Sequence, residues 1–299
     1  MTRVVCVGLA VLDVVFEVPT LPSGPGKNFA RGLRHVGGGP AANGAVTVAR
    51  LGGAAAFVGA VGDDVAGTRI ADDLRAEGVD TSNLEVVAGT TSPTSAVMVD
   101  AVGERMIVNH LDPSLHAGAT ADASAFVGAD AVLADLRWPG GARVGLEAAA
   151  AAGVPGVLDY DLTTPIDDTS LLAAASHIAF AAPALEARSG TSDPTNGLVR
   201  MAERTDAWIA VTVGADGVYW LDDGTVHHLP AFAVEVVDTL GAGDVFHGAL
   251  ALALANGRTP ADALHEASAA AALKCTRPGG RAGIPDADAL ATFLTNRGR

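Results

Sequence analysis

The stretch Asp238-Thr239-Leu240-Gly241-Ala242-Gly243-Asp244-Val245-Phe246 sets small residues directly ahead of an apolar segment that continues as His247-Gly248-Ala249-Leu250-Ala251-Leu252. Small residues before a helix leave its first backbone N–H groups free and let a ligand approach closely. Those N–H groups and the helix dipole favour an anion. A carboxylate in the first turn, here Asp244, faces the same ligand. Phosphoryl transfer uses both: amides stabilise charge on the moving group, and a carboxylate accepts the proton of the attacking hydroxyl. Alone, Gly-x-Gly-Asp more often marks a helix whose aspartate only stabilises its N-terminus, so the surrounding chain has to decide.

Outward from this turn, short β-branched runs alternate with alanine-rich helical stretches. Strands are expected at Val4–Leu9, Ala56–Ala60, Ala131–Ala134, Gly156–Asp159, Ile178–Ala181 and Trp208–Val213. Helices are expected at Ala41–Leu51, Thr68–Glu77, Ala142–Ala152, Asp244–Ala255, Pro260–Lys274 and Asp286–Asn296, several of them followed by glycine, as at Gly52, Gly78, Gly153 and Gly257. Such alternation implies an α/β fold, a mostly parallel sheet with helices on both faces. Two segments break it. Residues 13–36 carry Pro, Gly and short extended pieces, and residues 94–110 read as a hairpin turning at Gly103. Together they suggest a small sheet over one edge of the main one. No linker divides the chain, and no repeat or low-complexity tail is present, so residues 1–299 read as one domain.

The composition narrows the function. The 299 residues are 49% hydrophobic with a net charge of −15, which disfavours nucleic acid and anionic membrane surfaces as partners. Any anionic substrate then needs locally placed positive groups. The basic residues are 17 Arg and 2 Lys, Lys27 and Lys274. Two cysteines, Cys6 and Cys275, give neither a disulfide framework nor metal-ligand spacing. No apolar run approaches the ~20 residues of a membrane helix, and Val4–Leu12 reads as a buried first strand rather than a secretion signal. The cytoplasm is the default compartment.

Two further motifs join the first: Gly37-Gly38-Gly39-Pro40-Ala41-Ala42-Asn43-Gly44-Ala45 leading to Ala49-Arg50-Leu51-Gly52-Gly53, and Val58-Gly59-Ala60-Val61-Gly62-Asp63-Asp64. With Asp238–Phe246 they resemble, in order, the signatures of the PfkB, or ribokinase-like, carbohydrate kinases, and the resemblance runs from about Val4 to Pro285. It implies a three-layer α/β sandwich with a mostly parallel central sheet and a small β-sheet lid from residues 13–36 and 94–110. It implies ATP and Mg²⁺ as cofactors. Asp244 would be the base, with the amides of Gly241, Ala242 and Gly243 as the anion hole. Asp13, Gly38, Gly39 and Asn43 match the sugar side. Thr212, Gly214 and Gly217 match the nucleotide-side turn, and Lys274 and Gly280 lie in the stretch that resembles the loop beside the adenine. Family members often dimerise through the lid, so a homodimer is expected. Many members also carry an Asn-x-x-Glu pair that helps position Mg²⁺. Here Ala181-Ala182-Pro183-Ala184 stands in its place, so no protein ligand for the metal is assigned.

Other stretches are similar to the bacterial 6-deoxy-6-sulfofructose kinases: Gly26-Lys27, Val132–Trp138 and Ala271–Pro285. That resemblance implies phosphorylation of the C1 hydroxyl of sulfofructose, with Lys27, Asn109 and Arg137 on the sulfonate. A sulfonate is a permanent anion that needs donors of this kind. Fructose 6-phosphate is the competing substrate, because a phosphate has similar charge and geometry. Each of these residues also has a plainer reading: a solvated loop lysine, a hairpin asparagine bonding its own backbone, an arginine exposed after a strand.

Other classes fit less well. Gly8 follows the first strand, but no Gly-x-Gly-x-x-Gly opens a helix there, so a dinucleotide-dependent dehydrogenase lacks its fingerprint. Gly26-Lys27 is followed by Asn28 rather than Ser or Thr, so it is not a P-loop. A kinase-like binding regulator is the non-enzymatic alternative. The intact Asp244 opposes it, and the missing Asn-x-x-Glu pair favours it.

Overall fold

The computed structural model describes residues 1–117, 121–162, 166 and 168–297. In chain order these form β1 (Arg3–Val7), β2 (Val11–Glu17), β3 (Gly32–Gly38), α1 (Pro40–Arg50), β4 (Ala54–Gly62), α2 (Val65–Ala76), β5 (Asp80–Val87), β6 (Thr94–Val99), β7 (Arg105–His110), β8 (Ala131–Asp135), α3 (Pro139–Ala152), β9 (Gly156–Tyr160), α4 (Thr169–Ala174), β10 (His177–Ala181), α5 (Ala182–Ser189), α6 (Pro194–Ala202), β11 (Trp208–Thr212), β12 (Val218–Asp222), β13 (Thr225–Leu229), α7 (Ala242–Ala255), α8 (Pro260–Cys275) and α9 (Ala287–Arg297).

The main sheet has the order β13-β12-β11-β10-β9-β8-β1-β4-β5. Strands β11 through β5 are parallel, and β12 and β13 close one edge as an antiparallel hairpin. Buried on both faces, β1 shows the unbroken apolar run of a central parallel strand. Val4 and Cys6 join the core formed with α1, α7 and α8, while Val5 and Val7 join the core formed with α3, α5 and α6. The expected α/β sandwich, helices on both faces, is the observed fold.

A separate sheet has the order β3-β2-β6-β7, with β2 and β6 parallel and the outer pairs antiparallel. It takes up both segments that broke the alternation.

Several elements lie outside the expected set for identifiable reasons. Strand β5 is an edge strand with mostly exposed positions, so it has no apolar run to read. Helices α4, α5 and α6 span only 6, 8 and 9 residues, too short for a clear helical period. The β12–β13 hairpin did carry a signal: Asp223 and Gly224 turn it with φ of 45° and 75°, the Asp-Gly pair of a tight hairpin. Helix α2 begins at Val65, earlier than Thr68, because Asp64 caps it by accepting from Gly67 N at 2.7 Å.

Strand order reverses at β1. From there the chain builds outward through β4 and β5 on one side and through β8, β9 and β10 on the other. In open α/β sheets ligands bind beyond the carboxyl ends of the strands at such a switch point. Asp135, at the end of β8, closes it: its carboxylate accepts from Leu9 N at 2.8 Å, Ala41 N at 3.1 Å and Arg137 N at 2.8 Å. One buried side chain thus fixes the end of β1, the start of α1 and the exit from β8.

Candidate active site

Gly241 caps α7 with φ 77°, a left-handed conformation that glycine adopts without strain. The N–H groups of Gly243 and Asp244 then head the helix without intrahelical acceptors. Ala242, expected among the anion-hole amides, donates to Thr239 O at 3.1 Å, a turn bond that a phosphoryl oxygen would have to share. Asp244 follows in the first turn, and its Oδ2 accepts from Asn43 Nδ2 at 2.6 Å. Burial raises the Asp244 carboxyl above its ordinary value, against the Asn43 hydrogen bond, Arg281 and the protonated form of His247, a form that burial of the imidazole itself disfavours. A carboxylate shifted this way is a better proton acceptor.

Behind Asp244, His247 is buried, with Nδ1 2.8 Å from Gly243 O and Nε2 3.2 Å from Ala179 O. Asp159 Oδ2 lies 3.3 Å from the same Nδ1. These contacts brace the first turn of α7 against the ends of β9 and β10.

Each glycine of Gly37-Gly38-Gly39 has its own neighbour. A Cβ at Gly37 would run into the Arg281 guanidinium, one at Gly38 into the Asp13 carboxylate, and one at Gly39 into the Leu9 carbonyl. Gly39 also holds φ 95° at the start of α1. The run therefore makes room for two charged side chains and one close backbone crossing.

Asp13, Ser95 and Asn109 stand in cross-strand register on β2, β6 and β7. Register neighbours share a face, and the same face carries the buried Val15 and Val97. Asp13 and Asn109, expected on the substrate, thus lie in one row on the inner face of the small sheet. Burial raises the Asp13 carboxyl, while Ser95 and Arg281 oppose the rise.

The remaining substrate-side candidates are placed less closely. Arg137, just past β8, pairs with Asp161 at 2.6 Å, and its Nε is buried without a hydrogen-bond partner. Lys27 lies exposed in the loop between β2 and β3. No contact joins Lys27 to Asn109 or Arg137 among the described residues.

On the nucleotide side, Thr212 ends β11, and Gly214 and Gly217 hold φ of 56° and 98° in the turn before β12. A Cβ at Gly217 would meet the Leu229 carbonyl. Lys274 and Gly280, expected on the nucleotide side, both bond to Asp238. Lys274 is completely buried, and its Nζ donates to Asp238 O at 2.8 Å. Gly280 N donates to Asp238 Oδ2 at 3.2 Å. Both thus face the turn ahead of Gly241.

Asp238 is a hub for that turn. Besides these bonds, it accepts from Leu240 N at 2.9 Å, Gly279 N at 2.9 Å and Arg105 Nη2 at 2.5 Å. Burial alone would raise its carboxyl, but the N–H bonds from Leu240, Gly280 and Gly279 and the Lys274 charge hold it at about 2.

No group of three or more His, Cys, Asp or Glu side chains is arranged to hold a metal among the described residues. Ala181 ends β10 and Ala182 begins α5, so no polar side chain stands where the Asn-x-x-Glu pair would be. The residues present therefore do not supply a protein cage for Mg²⁺. An ion held through nucleotide phosphates and water needs none.

Sequence reasoning did not assign Arg281, Asp135, Ser95 or Arg105 to the site. Arg281 lies within a segment already singled out, but nothing in its local pattern tells that it turns inward. Asp135 had a signal in its position, a lone acid closing an apolar central strand.

Residues 1–287 match the family model described as pfkB family carbohydrate kinase. An ATP-dependent ribose-1-phosphate kinase from Halopiger xanaduensis is 33% identical over 301 residues, covering 99% of both chains. A ribokinase from Bacillus subtilis is 29% identical, covering 99% of this chain and 100% of its own. Among solved structures, Arabidopsis thaliana ribokinase complexed with ribose and ATP superposes with a TM-score of 0.88 at 26% identity, over 98% of each chain.

Proposed function

The chain belongs to the pfkB family of carbohydrate kinases, and on that premise we propose that it moves the γ-phosphoryl group of ATP to the C1 hydroxyl of 6-deoxy-6-sulfofructose. It is a phosphotransferase acting on a sugar hydroxyl, and kinases of this family use ATP, usually with Mg²⁺.

The reading rests on one arrangement, Asp244 in the first turn of α7 behind Gly241, held by Asn43. The sugar lies between that turn and the Asp13–Ser95–Asn109 row. Asp13 and the second N–H of Asn43 fix its hydroxyls. Asp244 accepts the proton of the attacking hydroxyl as the new O–P bond forms and the bond from the γ-phosphorus to the bridging oxygen breaks, that oxygen leaving with ADP, and the N–H groups of Gly243 and Asp244 stabilise charge on the transferring oxygens. The small sheet acts as a lid that excludes water and limits loss of ATP to hydrolysis.

For the sulfonate, Asn109 sits beyond Ser95 on the substrate face, Arg137 offers its unpartnered Nε, and Lys27 lies on the exposed loop of the lid. A sugar phosphate is the competing substrate class, favoured by the similarity to a ribose-1-phosphate kinase.

We also place the protein in the cytoplasm; no helix among the described residues is long and apolar enough to cross a membrane. A homodimer through the lid accounts for its outer face, where Leu33, Phe16, Met98 and Met106 form an apolar row in register across all four strands, with Leu33 and Met106 exposed.

The test is ADP release with sulfofructose, fructose 6-phosphate, ribose 1-phosphate, fructose and ribose at matched concentrations. Sulfofructose should give the highest kcat/KM, and Lys27→Ala and Arg137→Ala should lose far more on it than on the neutral sugars. Equal losses on both, or a preference for ribose 1-phosphate, would overturn the sulfonate assignment.

A further inference from the structure

Arg281 is 6% exposed, yet no carboxylate lies within ion-pair distance of its guanidinium among the described residues. Its Nε donates to Asn43 Oδ1 at 3.0 Å and its Nη2 to Gly38 O at 3.2 Å. Nη1 is buried with no hydrogen-bond partner. A buried charge without a direct counter-ion is costly to a fold. Removing it in favour of an apolar side chain would be cheaper, so its presence calls for a use.

The bonds supply one. An asparagine amide has two different ends, and only one arrangement lets Asn43 serve Asp244. Its Oδ1 is held by a donor that can never accept, the Arg281 Nε. Its Nδ2 is thereby turned toward Asp244, where it donates at 2.6 Å. We propose that Arg281 is a positioning residue for the catalytic base, acting through Asn43 to aim the Asp244 carboxylate and through its charge to keep that carboxylate ionised.

The rest of the neighbourhood is built around this seat. Gly37 has no side chain because the guanidinium fills the space one would need. Helix α1 holds Arg281 twice. Asn43 takes its side chain, and Arg50, two helical turns further on the same face, holds its loop, with Nη1 donating to Arg281 O at 3.0 Å and Ile284 O at 2.9 Å. Arg50 is itself fixed by two bonds to Glu77, at 2.8 and 2.7 Å. The base on α7, its asparagine on α1 and the loop after α8 are thus one bonded unit.

The charged groups that bear on Asp244 come from several elements. His247 on its own helix and Arg281 favour the ionised form; Asp161, beyond β9, opposes it. Asp13 on β2 and Asp159 on β9 also couple to it as like charges. The acids outnumber the cations here. Arg281 is the cation whose charge does not itself titrate over the working range.

This inference rests on Asp244 being the base, and the experiment separates the two. kcat and kcat/KM are measured against pH for the wild type, Arg281→Gln, Arg281→Lys and Asp244→Asn, with nucleotide binding and melting temperature as controls. Arg281→Gln keeps a polar side chain but no charge. Its acid limb should move to higher pH by about one unit, with kcat down roughly 10–100-fold. Arg281→Lys keeps the charge and loses the forked geometry, so kcat should fall while the acid limb stays in place. A wild-type acid limb in Arg281→Gln, or a wild-type kcat in Arg281→Lys, overturns the proposal; the lysine variant alone decides if the glutamine variant fails to fold. Turnover in Asp244→Asn would instead remove the base reading, whereas an inactive Asp244→Asn beside an unaltered Arg281→Gln would sink the relay alone.

Discussion

Arg105, on the outer strand of the small sheet, reaches Asp238 with Nη2 2.5 Å from Oδ1. The pair joins the proposed lid to the turn that carries Gly241. Its two side chains are 28% and 14% exposed, so solvent screens it only in part. Arg105→Ala should cost little stability, about 1 kcal/mol or less, because Asp238 keeps its N–H donors and Lys274. The sugar KM should nevertheless rise several-fold, since the lid loses a tie to the phosphoryl turn. Steady-state kinetics with the sugar varied check this, and an unchanged KM would show that the lid is held by other contacts.

The apolar row on the outer face of the small sheet makes a separate prediction. Met106 is 38% exposed and lies beside Met98 in register. A charge placed there would have to be desolvated in a dimer through this face. Met106→Glu should give a monomer in sedimentation or light-scattering measurements with its fold retained. A dimer that survives the change would use another surface.

Burial raises the Asp135 carboxyl from its ordinary 3.8 to about 6, against the N–H bonds from Leu9, Arg137 and Ala41. Between those values the folded protein binds a proton that the unfolded chain does not. Stability must therefore increase as pH falls from above 6 toward 4, by an amount of order 1–3 kcal/mol for this group. Asp13, Asp159 and Asp244 are raised as well and act in the same direction. His116, His177 and His247 are lowered by burial and oppose this rise over the same window, so the Asp135 contribution is read by difference: the change in melting temperature from pH 7.5 to pH 5.5 should be more favourable in the wild type than in Asp135→Asn. An asparagine there can still accept from Leu9 and Ala41, but its amide would meet the Arg137 N–H. The same change with pH in both proteins would contradict the assignment.

Much of this was legible in the sequence where a residue's use is local. Gly241 and Asp244 are neighbours on one turn, so their joint role follows from helix geometry alone. The parallel sheet follows from β-branched runs that need burial on both faces. Asp13 and Asn109 were legible through resemblance, and their shared row depends on a register that no spacing fixes. Arg281 and Lys274 show where the reading stops. Arg281 stands in a glycine-rich stretch that suits an exposed loop and Lys274 in the last turn of an alanine-rich helix, yet both long cations turn inward to partners at residues 38, 43 and 238. Only the closed fold supplies those partners, and the charges are tolerable only with them.

Asp244 is the proposed acceptor of the proton in transfer to a sugar hydroxyl. Asp244→Asn preserves the size of the side chain and, with its amide oxygen toward Asn43 Nδ2, that hydrogen bond, but it cannot take up a proton. Measured by ADP release alongside nucleotide and sugar binding, this variant should bind both ligands near wild-type affinity and lose turnover by at least about 10²-fold. Wild-type turnover in Asp244→Asn would contradict the account.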